Sequence, residues 1–203
     1  MHFDIYTDGS LQYSTNLCKC GTVVYNENDD MEGAFYQWRR INEDNSLIVE
    51  WDATYLGTVV ARNMGIKNVT VHNDRIHMDE EGKLHYFRDK IKAKNKERWK
   101  RKNRGWGYKQ REIEYLKKYF DKFEVVLSRD LRNGNKDLEF NKHAERMGIA
   151  HDISQLEPNG YKSGSIVRLR LKNDDWEYGK RVFKDFKIPK SALQNFNNFR
   201  HVA

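Results

Sequence analysis

Four acids in this 203-residue chain stand where side chains could do chemistry: Asp8, Glu50, Asp74 and Glu145. Asp8 belongs to Asp4-Ile5-Tyr6-Thr7-Asp8-Gly9-Ser10, in which an alternating run reads as a strand and Asp8-Gly9-Ser10 as the turn that ends it. Asp74 closes a second strand-like run, Val69-Thr70-Val71-His72-Asn73-Asp74. Singly, each acid has a plain explanation. Asp favours turns, a Glu near a helix start suits the macrodipole, and a helical Glu pairs with Lys across a solvated face. Together they suggest more. Parallel strands that finish side by side place Asp8 and Asp74 on one carboxyl edge, where open α/β sheets bind ligands. Carboxylates gathered there raise one another's pKa unless a cation neutralises them, and hard divalent cations take oxygen ligands. Asp8 then reads as a metal ligand, with Gly9 leaving room for a close backbone approach. Two such ions can activate a water and stabilise a leaving oxygen in phosphodiester cleavage.

The elements that must position these acids follow from periodicity. Phe3, Ile5 and Thr7 alternate with polar neighbours, Gly21 to Asn26 continues as a second strand, and Ala34 to Arg40 returns as the third strand of a meander. Leu47, Ile48, Trp51, Tyr55, Val59 and Val60 recur at helical steps, so Glu50 lies in the opening turns of an amphipathic helix that Asn45 or Ser46 caps and Gly65 ends. Asp52, two residues on, should point elsewhere. A helix between two strands predicts a right-handed crossover with the flanking strands parallel. Lys83 to Phe120 is helical in composition, interrupted at Arg104-Gly105-Trp106-Gly107. Phe123 to Leu127 is a last core strand, and Leu138 to Met147, carrying Glu145, a short helix. After Gly148 the composition shifts, and Gly164 to Leu171 with Trp176 to Ile188 read as a hairpin before a short terminal helix.

Charge points to a polyanion. Lys and Arg number 37 against 30 Asp and Glu, a net charge of +7. The excess is concentrated, since Lys90 to Arg111 holds eleven basic residues and one acid, Glu97. The two cysteines, Cys18 and Cys20, are too few for a disulfide framework or a four-cysteine zinc site, and read as small buried groups on one strand face. No apolar stretch approaches membrane-spanning length, and the charged N-terminus is unlike a signal peptide, so a soluble, cytoplasmic protein is expected.

The segments YTDGS at 6–10, EWDATYLGTVVARNMGI at 50–66, VTVHND at 69–74 and NKHAERMGIA at 141–150 resemble the ribonuclease H family, type 1 branch. The resemblance covers about residues 1–150. It implies that Asp8, Glu50, Asp74 and Glu145 are the ligands of two Mg²⁺ or Mn²⁺ ions, and that the reaction is hydrolysis of the RNA strand of an RNA–DNA hybrid. Two departures stand out. The family usually has Asp where Glu145 stands, and many members carry a His in the loop before the last helix, absent from Ser128 to Asn135. His143, two positions before Glu145, falls on a different helix face. Trp99-Lys100-Arg101-Lys102-Asn103-Arg104-Gly105-Trp106 is similar to a basic protrusion that grips the DNA strand in some members.

The expected fold is α/β, a ribonuclease H-like five-stranded mixed sheet flanked by helices, with a small β-hairpin and helix extension. Residues 1–150 form the catalytic domain, with a basic insertion at about 83–120, and 151–203 an accessory module. The expected function is a two-metal endonuclease acting on RNA–DNA hybrids. The alternatives are a nuclease of the same fold acting on DNA or other RNA, or a non-catalytic nucleic-acid-binding module. Trp99, Lys100, Arg101, Lys102, Arg104 and Trp106 are expected on phosphates and sugars, and Gly9, Ser10 and Asn73 beside the acids. Arg168, Arg170, Lys180 and Arg181 of the C-terminal module would extend that surface, or the hairpin would hold a protein partner.

Overall fold

In a computed structural model that describes residues 1–40, 46–87, 106–128, 138–155 and 166–168, the chain begins with an antiparallel meander. Its strands are β1 (His2–Gln12), β2 (Leu17–Asn26) and β3 (Met31–Arg40). α1 (Ser46–Asn63) crosses to β4 (Asn68–Asn73), which lies parallel to β1. A short antiparallel pair follows, β5 (Ile76–Met78) with β6 (Leu84–Tyr86), then α2 (Trp106–Leu116). β7 (Lys122–Leu127) lies parallel to β4, and α3 (Leu138–Gln155) comes after it. The sheet order β7-β4-β1-β2-β3, mixed and flanked by helices, is the ribonuclease H-like arrangement. β8 (Ile166–Arg168) adds a sixth strand antiparallel to β3.

The sheet is covered on both faces, which is why eight of the ten β2 residues, Cys18 to Tyr25, are buried. On one face Ile5, Val24, Val69, Val71 and Val125 pack with Trp51, Leu56 and Val60 of α1 and Ile113 and Leu116 of α2. On the other, Tyr6, Val23, Tyr25 and Tyr36 pack with Ala150 and Ile153 of α3. Gly21 lets α3 settle onto β2. A Cβ there would collide with the Ala150 carbonyl oxygen and sit 2.8 Å from the Ser154 amide nitrogen.

Four expectations about extent are corrected. Asp8-Gly9-Ser10 does not end β1, because pairing with β2 carries the strand on to Gln12; the turn is at residues 13–16. Residues 84–86, expected in a helix, form β6, where buried Leu84 anchors a two-stranded ribbon. Trp106 and Gly107 open α2 rather than interrupt it. The last helix runs to Gln155, so residue 150 falls within a helix; buried Ala150 and Ile153 extend its sheet-facing side past Gly148. The turn at Asn133-Gly134-Asn135, the C-terminal module apart from 151–155 and 166–168, and with it Arg170, Lys180 and Arg181, lie outside the described residues, as does the side chain of Arg168.

Candidate metal centre

β1 and β4 pair only as far as Tyr6 opposite His72. β4 stops at Asn73, whereas β1 continues because β2 still pairs with it, from Asp8 opposite Gly21 to Gln12 opposite Leu17. Two residues beyond the last β1–β4 pair, Asp8 (6 + 2) and Asp74 (72 + 2) therefore stand level at the edge where these strands part.

α1 reaches the same edge through Gly9. A Cβ on Gly9 would lie 2.6 Å from both the Val49 carbonyl oxygen and its Cγ1, so the missing side chain admits the helix. The next helical residue after Val49 is Glu50. One carboxylate oxygen from each of Asp8, Glu50 and Asp74 lies within 4.8 Å of the others.

Asn73 locks this geometry. Its Nδ2 donates to Glu50 Oε2 and to the Thr7 carbonyl, each at 3.2 Å, while its Oδ1 accepts from the Arg75 and Ile76 amides at 2.8 Å. Expected beside the substrate, Asn73 instead has both ends of its amide engaged within the protein. Part of Glu50 reaches solvent, yet burial of its carboxyl is the leading cause that pushes its pKa well above the ordinary value. The neighbouring charges of Asp74 and Asp8 push the same way, against the Asn73 hydrogen bond and Arg75. Three crowded acids, one of them reluctant to ionise, form a donor set suited to a hard dication.

His151 completes the edge and was not foreseen. Its Nδ1 lies 2.8 Å from Asp8 Oδ2. That hydrogen bond raises the imidazole's pKa against the opposing effect of burial, and the charges of Asp8, Asp152 and Asp74 add to it. The sequence signal was the apolar spacing Ile149, Ala150, Ile153, which continues the helix past Gly148.

α3 is oriented by a second anchor. Arg146 Nη1 donates to the Tyr6 hydroxyl at 3.3 Å, and Arg146 pairs with Asp29 in the β2–β3 turn at the opposite edge of the sheet. Lys142 also reaches Asp29, at 2.8 Å, and the two cations hold that carboxyl at a pKa of about 2. Glu145 precedes His151 by six residues, about 9 Å of helix rise, and its side chain lies outside the described residues. The same is true of the Trp106 side chain, while Trp99, Lys100, Arg101, Lys102 and Arg104 lie outside them altogether. Ser10 is half-buried on β1, two residues beyond Asp8. His143 packs its ring against Tyr6 and His72 at centroid distances of 5.4 and 4.7 Å. Asp52 turns away from Glu50 as expected, and Cys18 Sγ lies 3.4 Å from its Oδ2 and 3.7 Å from Cys20 Sγ.

Fold and site together define an α/β protein of ribonuclease H-like architecture with an acidic cluster at the strand ends. No protein-family model matches the sequence, and no curated protein matches it. Some solved structures are similar to the chain at low identity. Ribonuclease H1 from the halophilic archaeon Halobacterium salinarum NRC-1 is 13% identical over 63% of this chain and 85% of its own, with a TM-score of 0.44. The N-terminal RNase H domain of Rv2228c from Mycobacterium tuberculosis, solved as a fusion with maltose-binding protein, is 17% identical over 74% of this chain and 96% of its own, with a TM-score of 0.43. The prototype foamy virus protease–reverse transcriptase is 13% identical over 77% of this chain and 21% of its own, with a TM-score of 0.48. Among the described residues no helix is long and apolar enough to cross a membrane.

Proposed function

We propose that this chain is a metal-dependent endonuclease that hydrolyses the RNA strand of RNA–DNA hybrids. The observation that carries the reading is the convergence of Asp8, Glu50 and Asp74 within 4.8 Å. Asp8, Glu50 and Asp74 would hold a pair of Mg²⁺ or Mn²⁺ ions, whose chemistry would be to activate a water and stabilise the departing 3′ oxygen. The chain's own task is to hold the oxygens in place. The parallel register of β1 and β4 sets the Asp8–Asp74 level, α1 delivers Glu50, and Asn73 fixes its carboxylate. Glu145, six residues before His151 on α3, is the proposed fourth acid. The basic segment from Trp99 to Trp106 is proposed to neutralise phosphates of the DNA strand. Discrimination for RNA requires contacts to the 2′-hydroxyl, for which Ser10 is the nearby polar candidate.

The test is digestion of matched hybrid, duplex DNA and double-stranded RNA with Mg²⁺ or Mn²⁺. Cleavage confined to the RNA strand of the hybrid, leaving 5′-phosphate and 3′-hydroxyl ends, is expected. Preference for either pure duplex refutes the substrate assignment. Metal-independent cleavage refutes the mechanism.

A further inference from the structure

On the sheet face opposite α3, α1 and α2 enclose a groove that the carboxylate site does not use. Tyr55, Arg62, Arg111, Glu112, Tyr115 and Leu116 line it, and its volume is about 410 Å³. Its rim alternates cations with tyrosine rings. Lys109 Nζ stands 3.9 Å from the Tyr55 ring centre, Arg62 Cζ 4.2 Å from that of Tyr119, and Lys118 Nζ 3.4 Å from that of Tyr115. Tyr115 and Tyr119 meet edge to face at 6.1 Å.

Two features make this more than a solvated helix pair. Tyr115 is 57% exposed, so a large aromatic surface is left uncovered. Arg62 and Arg111 are exposed and have no ion-pair partner among the described residues, while Glu112, the acid of the groove, is engaged by Lys109 at 2.8 Å. Lys109 and Arg111 are also the last members of the basic run that begins at Lys90. An exposed tyrosine beside two arginines that no acid among the described residues neutralises matches the chemistry of an unpaired polynucleotide, whose bases stack while its phosphates pair with Arg and Lys. A duplex hides its base faces and leaves the tyrosines no role.

We propose that the α1–α2 groove is a second nucleic-acid site that holds an unpaired strand. Along α1 the groove runs from Tyr55, five residues from Glu50, to Arg62, twelve residues from it, about 8 and 18 Å of helix. At about 3.4 Å per stacked nucleotide, roughly two to five nucleotides separate the groove residues from the carboxylates.

The experiment is fluorescence anisotropy of the full chain with a labelled oligothymidylate, in EDTA so that nothing is cut, with a hairpin duplex of equal length as comparison. Tyr115→Ala is expected to weaken single-strand binding about tenfold, the scale of one lost base stack, while Tyr115→Phe retains it. The double reversal Arg62→Glu with Arg111→Glu should make the slope of log K against log salt shallower by about 1.4 for two lost phosphate contacts. Thermal unfolding of each variant verifies that it is folded. Unchanged single-strand affinity in folded variants overturns the proposal, as does an equal loss for the duplex. Because no cleavage is read, a chain that cuts no hybrid still decides this question.

Discussion

Nδ1 of His151 lies 2.8 Å from Oδ2 of Asp8, on the side of the sheet that α3 covers. With its pKa raised chiefly by that hydrogen bond, the imidazole gains a proton more readily than a free histidine and then competes with a dication for Asp8. Mg²⁺ or Mn²⁺ affinity should fall as the pH drops from 8 to 6, and more steeply in the wild type than in His151→Ala. Calorimetric titration at the two pH values measures this; equal pH dependence in both proteins would remove His151 from the site's electrostatics.

The crowding of the carboxylates carries a stability signature of definite sign. Folding raises Glu50's pKa, mainly through burial and then through Asp74 and Asp8. The folded state thus holds this proton more tightly than the unfolded chain. The resulting stabilisation is fully present below the ordinary value of 4.5 and disappears as pH rises through the folded value. His151, also raised, contributes with the same sign, present below 6.5 and lost above its folded value. The Tm of the metal-free protein should therefore fall as pH is raised from mildly acidic to neutral. Glu50→Gln should flatten much of that fall, and added Mg²⁺ should recover Tm at neutral pH in the wild type alone. A Tm indifferent to both changes would mean that the three acids do not interact.

Removing the charge of any one acid should abolish chemistry while sparing binding. Asp8→Asn, Glu50→Gln and Asp74→Asn are each expected to lower hybrid cleavage by at least about 10²-fold, the scale of one lost electrostatic partner in a transition state. Hybrid affinity in the same variants, read by anisotropy, should change little. Glu145→Gln, assayed alongside, decides whether a fourth acid takes part.

Gly21 is a packing position with a functional consequence. Gly21→Ala forces its Cβ against the Ala150 carbonyl oxygen and the Ser154 amide, moving α3 off β2. Overpacking of this kind costs about 1–3 kcal/mol. A lowered Tm is expected, together with a His151 pKa that returns toward 6.5 by NMR titration as contact with Asp8 loosens. Retention of both would show that α3 can rise without disturbing the strand ends.

The parallel run of β1 beside β4 and the helix α1 were legible in the sequence because period-2 and period-3.6 apolar patterns are local properties. Asp8, Glu50 and Asp74 were legible for a related reason: Glu50 and Asp74 stand near the end of such an element, and Asp8 stands where the pairing of β1 with β4 stops. The structure brings these three acids together. Element ends were harder to read, because they depend on partners far away in the chain. β1 passes through Asp8-Gly9-Ser10 only because β2 is there to pair with it, and α3 passes Gly148 only because Ala150 and Ile153 find Tyr6, Val23 and Tyr36 beneath them.

The sequence by itself determined which carboxylates could meet, since residue type and position within a periodic element are both written along the chain. Tertiary structure alone decided what surrounds them. Asn73 grips Glu50 across 23 residues and His151 reaches Asp8 across 143. Hydrogen bonds over such separations depend on how strands stagger and on which way a helix lies on its sheet, and no local pattern encodes either.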